Sequence, residues 1–203
     1  MTTQTAGRRP YIVGIGGTTK AGSSAERALA YALTVAHSQG ADTEMFDGPS
    51  VNLPMYPTDS SHRTPEAFRL IDALRRADGI ILSTPCYHGS VSGLLKNALD
   101  YAEDLARDPQ PYFDGRAVGL IVCGYGWQST AITLTALRSI VHALRGWPTP
   151  MGVALNTGQS ATGVFDTDGR VTDEAAARQI SIMVGQVVDF ARLRMQRAVA
   201  HIM

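Results

Sequence analysis

Two stretches of this 203-residue chain carry residue types suited to small anionic and planar ligands. The first is residues 16–27, GGTTKAGSSAER. Thr18, Thr19, Ser23 and Ser24 bring hydroxyls there, and Lys20 brings a full positive charge. A helix N-terminus has unpaired N–H groups and roughly half a positive charge, so a hydroxyl-rich loop feeding a helix suits a phosphate. The same residues also read as a capping box, with Ser23 as cap and Glu26 three places on. One hydroxyl at a helix start can serve either purpose. The second stretch is residues 84–93, TPCYHGSVSG. Pro85 fixes one backbone angle. Tyr87 and His88 offer ring faces with hydrogen-bonding tips, and Gly89 lets a ligand come close to the backbone. Cys86 is either a redox thiol or a small packing residue. His88 is either a proton carrier or a structural hydrogen-bonder. Ser90 beside His88 has the residue types of a hydrolytic pair, but the chain has no G-x-S-x-G elbow.

Regular elements on either side must hold these loops. Residues 11–15 are apolar and β-branched, a strand, and Ala25, Ala28, Leu29, Ala32 and Ala36 then recur at helical spacing up to Gly40. Residues 42–46 make a second strand. The segment 47–63, with Pro49, Pro54 and Pro57 and no period, is a long loop, a type often tied to function. Thr64 and Pro65 start a helix whose buried stripe is Phe68, Ile71 and Leu74. Ile80, Ile81 and Leu82 form the third strand. Pro85, Gly89 and Gly93 break regular structure, and a helix follows over 93–107. Residues 117–123, AVGLIVC, are the fourth strand, and GYGWQST follows as a Gly-rich loop. Leu137, Ile140, Val141 and Leu144 mark a helix, and residues 151–155 are the fifth strand. Asp168-Gly169 between β-prone residues predicts a small hairpin over 163–171. A last helix starts at Asp173.

Strand and helix thus alternate five times. The pattern predicts an α/β, flavodoxin-like three-layer sandwich: a five-stranded parallel sheet of order 2-1-3-4-5 with helices on both faces. Strands one and three meet at the switch point of such a sheet, where ligands bind. Both chemistry-bearing loops leave the sheet there.

Residues 85–100 resemble the second signature of the NADPH-dependent FMN reductase family, a flavodoxin-like group. Its usual form is roughly P-E-Y-N/H-G-S-x-P/S-G-x-L-K-N-A-I/L-D. Pro85, Tyr87, His88, Gly89, Ser90, Gly93, Leu95, Lys96, Asn97, Ala98, Leu99 and Asp100 match, and Cys86 stands where Glu is common. The family's first signature is close to G-S-x-R-x-x-S-x-T. Gly17, Thr18, Lys20, Ser23 and Ser24 align with it, with Lys for Arg and Ala25 for the last hydroxyl residue. Lys binds phosphate as a point charge, without the fork of Arg.

The resemblance spans residues 11–156. It implies an enzyme that passes a hydride from NADPH or NADH to FMN and on to free flavin, a quinone or another acceptor. FMN would bind through Thr18, Lys20, Ser23 and Ser24 at its phosphate and through Pro85, Cys86, Tyr87, His88, Gly89 and Ser90 at its ring. Gly124, Tyr125 and Gly126 would pack beside the ring, with Trp127 as a shield or as a plug of the core edge. No acid–base residue is implied, because hydride transfer to flavin needs none. The resemblance also implies a homodimer or tetramer formed through the helix at 93–107, and a possible flavin-dependent monooxygenase as partner. Tyr101 and Leu94 would lie on its second apolar face. Leu53, Pro54, Met55 and Tyr56, similar to a common family patch, would reach the neighbour's flavin.

Composition agrees. Lys+Arg and Asp+Glu are each 18, so the net charge is zero with His neutral, which argues against nucleic acid or an anionic membrane as partner. The rival reading, a non-enzymatic FMN electron carrier of the flavodoxin type, goes with strong acidity and a T-x-T-G-x-T loop. The neutral charge and Lys20 weigh against it. Two cysteines do not make a disulfide scaffold, Cys123 reads as core, and no Cys/His spacing suits a metal. No apolar run reaches a membrane span, and the polar N-terminus lacks a signal-peptide core, so a cytoplasmic location is expected. The chain reads as one domain over 1–203, with 1–9 as a disordered tail.

Overall fold

The structure is a computed structural model that describes residues 8–158, 164–166 and 168–200. Most of the expected tail, 1–7, lies outside the described residues. Arg8 and Arg9, expected within it, are tied to the body. Arg8 forks the Asp78 carboxylate at 2.7 and 2.8 Å, and Arg9 donates to the Gly40 carbonyl at 3.2 Å.

The strands are β1 Tyr11–Gly16, β2 Asp42–Phe46, β3 Gly79–Tyr87, β4 Ser90–Val91, β5 Ala117–Gly124, β6 Trp147–Pro148 and β7 Val153–Asn156. The path through the sheet is β2-β1-β3-β5-β6, with β7 also on β5 and β4 on β3. This corrects the expected order 2-1-3-4-5. The expected fourth and fifth strands are β5 and β7. The short β4 and β6 are additional, and two-residue pairings leave too little sequence pattern to read. All pairings are parallel except β3 with β4.

Five helices cover the sheet: α1 Ser24–Ser38, α2 Pro65–Arg76, α3 Gly93–Asp100, α4 Trp127–Ala143 and α5 Glu174–Ala200. Successive strand residues point to opposite faces. Ile12, Ile81, Ile121 and Val153 meet Leu29 and Ala32 of α1 and Ile180 and Val184 of α5. Val13, Ile80, Leu82 and Leu120 meet Leu70 of α2, Leu99 of α3 and Leu137 of α4. Burial on both faces is why β5 is apolar throughout instead of alternating. Where α5 crosses the sheet it needs glycine beneath it. A Cβ on Gly119 would lie 2.1 Å from Met183 Sδ, and one on Gly79 would lie 2.6 Å from Val187 Cγ1.

Four further expectations change. Phe68, expected in the buried stripe of α2, is 59 % exposed, because the face turned to the sheet carries Ala67, Leu70, Ile71 and Leu74. Pro85 does not end β3, which runs on to Tyr87 and turns back through His88 and Gly89 into β4. Pro85 lies past the last β1 pairing, Gly16 with Ser83, where β3 is an edge on that side, and the positive φ of His88 (52°) and Gly89 (78°) suits a tight hairpin. GYGWQST is mostly helix, since α4 begins at Trp127. The helix expected over 93–107 is α-helical only to Asp100 and closes as a 3-10 turn, Tyr101–Leu105. The hairpin expected over 163–171 is present as an antiparallel bridge between Phe165 and Val171, although Gly163 and Thr167 lie outside the described residues.

Candidate functional site

The parallel register decides which loops meet. Gly16 of β1 pairs with Ser83 of β3, Pro85 with Cys123 of β5, and Gly124 with Asn156 of β7. The carboxyl ends of these strands are therefore level, and their loops leave one edge together. Contact between them is backbone-close. A Cβ on Gly17 would sit 2.7 Å from Ser92 Oγ and 3.0 Å from Thr84 Oγ1. One on Gly124 would sit 3.0 Å from Cys86 Cβ. The two loops singled out by residue type are thus adjacent, and the Gly-rich segment after β5 joins them.

The first loop is shaped by its own hydroxyls. Thr18 is buried, and its Oγ1 accepts from the Lys20 N–H at 3.1 Å. The Thr18 carbonyl accepts from Gly48 N–H at 3.2 Å, which fastens the loop to the segment after β2. Ser23 caps α1, its Oγ accepting from Glu26 N–H at 3.2 Å. The capping reading therefore holds at Ser23, but Glu26 reaches back to Gly22 N–H at 2.7 Å and not to that of Ser23. Ser24 opens the helix, half-buried, and Lys20 is exposed. Gly22 has φ 68°. That conformation turns its N–H toward the Glu26 carboxylate, so the loop demonstrably holds an anionic oxygen. A phosphate is an anion of the same kind, so the donor set fits FMN at this end. Asp47, just past β2, lies beneath the loop. Burial, then the charge of Glu26, lifts its carboxyl above the ordinary range.

The second loop presents its tip to solvent. Tyr87 is 57 % exposed, and His88 and Ser90 are exposed as well. A Cβ on Gly89 would meet nothing within 4 Å, so open space faces this backbone. No hydrogen bond joins Ser90 to His88 among the described residues, and a hydrolytic pair is not assembled. Cys86 packs against α4: its thiol donates to the Ser129 carbonyl at 3.3 Å and accepts from Thr133 Oγ1 at 3.0 Å. Pro85 is half-buried beside it. Cys123 is core, and burial pushes its thiol up to about 12.

After β5, Tyr125 is 88 % exposed and Gly126 caps α4. Trp127 is 57 % exposed, so it does not plug the core edge. Lys96 and Asp100 form the expected exposed pair at 2.6 Å, one helical turn apart.

Sequence reasoning missed a polar network that holds the 47–63 loop. Asn97 of α3, on its buried face, donates to the carbonyls of Leu53 and Pro54 at 3.1 and 2.9 Å and accepts from Tyr56 N–H at 2.9 Å. Arg63 forks the Asp104 carboxylate at 2.7 Å through both Nε and Nη2. Tyr56 Oη donates to the same carboxylate at 3.0 Å. Tyr101 is only 2 % exposed, lies edge-on to Tyr56 and donates to the Pro54 carbonyl at 2.9 Å. This corrects its expected place on a subunit-facing side, because the loop of its own chain covers that face. An asparagine among the apolar positions of α3 is the signal that the sequence offered.

The fold is that of a flavodoxin-like α/β protein, and its two hydroxyl- and ring-bearing loops lie side by side at the carboxyl edge of the sheet. Solved structures agree on the fold. One is a flavoenzyme NAD(P)H:(acceptor) oxidoreductase of Paracoccus denitrificans, with TM-score 0.74, 22% identity, and coverage of 91% of this chain and 98% of that one. A flavodoxin, WrbA-like protein of Agrobacterium tumefaciens superposes with TM-score 0.62 at 14% identity over 92% and 99% of the two chains. Residues 10–160 match the NADPH-dependent FMN reductase family, and the chain belongs to that family. It is 30% identical over 172 residues to an NAD(P)H-dependent FMN reductase of Pseudomonas aeruginosa, covering 83% of this chain and 88% of that protein. An FMN-dependent NADPH-azoreductase of Staphylococcus aureus is 37% identical over 116 residues, 56% of each chain. Membership makes this an oxidoreductase that works with FMN and a nicotinamide nucleotide, as the two signatures implied. It does not support the electron-carrier alternative.

Proposed function

We propose that FMN lies across the carboxyl ends of β1, β3 and β5. Its phosphate is held by Thr18, Lys20, Ser23 and Ser24. The ring edge faces the backbone of Pro85, Cys86, Tyr87, His88, Gly89 and Ser90, with Gly124, Tyr125 and Gly126 alongside. FMN supplies the redox chemistry, taking up a hydride from a nicotinamide and giving electrons to an acceptor. The chain's part is to hold the phosphate, orient the ring and leave one ring face open. N–H groups in the His88–Gly89 turn can stabilise negative charge at the ring edge, because they are fixed before reaction. The observation that carries this reading is the level register, which sets the anion-holding loop within contact distance of the β3 loop.

The acceptor is free flavin, a quinone, an azo compound or a monooxygenase that takes the reduced flavin. Exposed Tyr87, Tyr125 and Trp127 support a planar acceptor stacking over the opening. No described helix is long and apolar enough to cross a membrane. Purified protein given FMN should shift the flavin absorption, and NADPH under nitrogen should bleach it. No flavin binding at tens of micromolar would overturn the proposal.

A further inference from the structure

Glu26 reaches back into the loop that carries Thr18, Lys20, Ser23 and Ser24. Its carboxylate accepts from Gly22 N–H at 2.7 Å, at the entrance to α1. A capping glutamate normally returns to the cap residue's own N–H. Here the cap is Ser23 and the bonded amide belongs to the residue before it, inside the anion-holding loop. Gly22 N–H thus already serves a carboxylate that the chain itself supplies, while Ser23 Oγ caps the backbone N–H of that same Glu26.

No ion pair holds Glu26 among the described residues, although Arg27 Nη2 lies 3.5 Å from where a Cβ on Gly22 would sit. Asp47, from the segment after β2, adds a second carboxylate close enough for Glu26 to raise its proton affinity. Arg27, the next residue on α1, commits a guanidinium N–H to the Asp166 carbonyl at 3.0 Å. Asp168 and Arg170 line the groove that Glu26 shares with α1, and they pair with each other at 3.8 Å. Lys20 is exposed in the loop, a flexible and strongly hydrated cation.

We propose that the Glu26 carboxylate is an intramolecular competitor for the phosphate site, so that FMN must displace it and is held as an exchangeable ligand. This rests on the FMN site described above. It makes Glu26 a specificity residue: it weakens binding of flavin phosphates and leaves riboflavin, which lacks the phosphate, unaffected. Two dissociable flavins are then equivalent at the ring and differ only at this loop.

The test is flavin fluorescence titration of the whole chain with FMN and with riboflavin, for wild type, Glu26→Gln and Glu26→Ala. Glutamine keeps an acceptor for Gly22 N–H and removes the charge. Alanine removes both, and a thermal melt checks that each variant folds. The expected result is FMN binding about tenfold tighter in both variants at low salt, with riboflavin unchanged. The gain should shrink as salt screens the loop. If Glu26 only caps the helix, Glu26→Gln binds FMN as wild type does, and Glu26→Ala merely melts earlier. That outcome, or equal changes for FMN and riboflavin, overturns the competitor role while leaving the flavin site standing. Absence of binding for both flavins in all three proteins overturns the flavin site itself.

Discussion

Arg63 and Asp104 show how single side chains set a loop. The two groups meet in a fork of paired 2.7 Å bonds, and the Arg63 side chain is almost wholly buried. The fork, and then the Tyr56 hydroxyl, hold the Asp104 carboxyl below the ordinary carboxylate range, against an opposing effect of burial. A carboxyl whose folded pKa is lowered adds stability above its unfolded pKa and loses it as pH falls through the folded value. Asp104→Asn should therefore cost about 3 kcal/mol at neutral pH, because it leaves Arg63 buried without its partner. The gap between wild type and variant should begin to narrow as pH falls below about 4, the unfolded carboxylate value, and close only as pH falls through the lower folded value of Asp104. Urea unfolding at several pH values checks this, and a gap that stays constant with pH would reject the account. Cys86 belongs at the same scale. It sits between Ser129 and Thr133 as a small packing residue, in line with one of its two sequence readings.

Between elements, the closeness of α5 to the sheet is the sharpest constraint. Glycine in a strand interior is normally a weakness, since it costs backbone entropy and packs no side chain. At Gly119 it is required, because Met183 Sδ occupies the volume a Cβ would take. Gly119→Ala should lose about 2 kcal/mol by pushing Met183 off its rotamer and α5 off the sheet. The double variant Gly119→Ala with Met183→Ala should recover part of that loss, as contacting sites couple. Thermal melts of the four proteins in the cycle measure the coupling. Simple additivity would mean that the two residues do not compete for space. The β3–β4 hairpin is the functional counterpart of this packing. It is anchored by Thr84 Oγ1, which accepts from Ser92 N–H at 3.1 Å, and by the Ser92 cap of α3. The exposed tip, with His88 and Gly89, therefore stands on a rigid base.

For the molecule as a whole, the question is what covers its exposed apolar side chains. Tyr87, Trp127 and Ile132 are all more than half exposed, and they come from the β4 hairpin and α4. Met55 is 78 % exposed at the top of the loop that Asn97 pins down. Large apolar groups on neighbouring elements are the usual mark of a subunit surface. The family resemblance implies a homodimer or tetramer through the helix at 93–107; with Tyr101 buried in its own chain, we propose that α4, the hairpin and Met55 carry the contact instead. Light scattering at micromolar concentration should give at least twice the 21.7 kDa chain mass. The single-chain mass would reject assembly.

Much of this protein was legible without coordinates, and the reason is local. Apolar runs such as Ile80 to Leu82 and the stripe Ala25, Ala28, Leu29 and Ala32 state their own conformation through period and β-branching. Chain reversal rules then bring strands one and three together, so both ligand loops could be placed at one edge. The caps Ser23 and Thr64 follow from chemistry within a few residues of themselves. Only the tertiary structure decided what depends on distant partners. Tyr101 has the same side chain whether it faces a subunit or the Pro54 carbonyl, which is 47 residues away. Arg116 stands just before β5, and nothing within a few residues of it names a partner. In the fold it is buried and donates to the carbonyls of Ala77, Tyr112 and Arg75 at 2.7, 2.8 and 2.9 Å, closing the end of α2. The short strands β4 and β6 exist only because a longer neighbour offers free hydrogen-bonding groups. Glu26 is the plainest case. Its sequence spacing promised a bond to Ser23, and the left-handed turn at Gly22 gave it another amide, in the loop where a phosphate would bind.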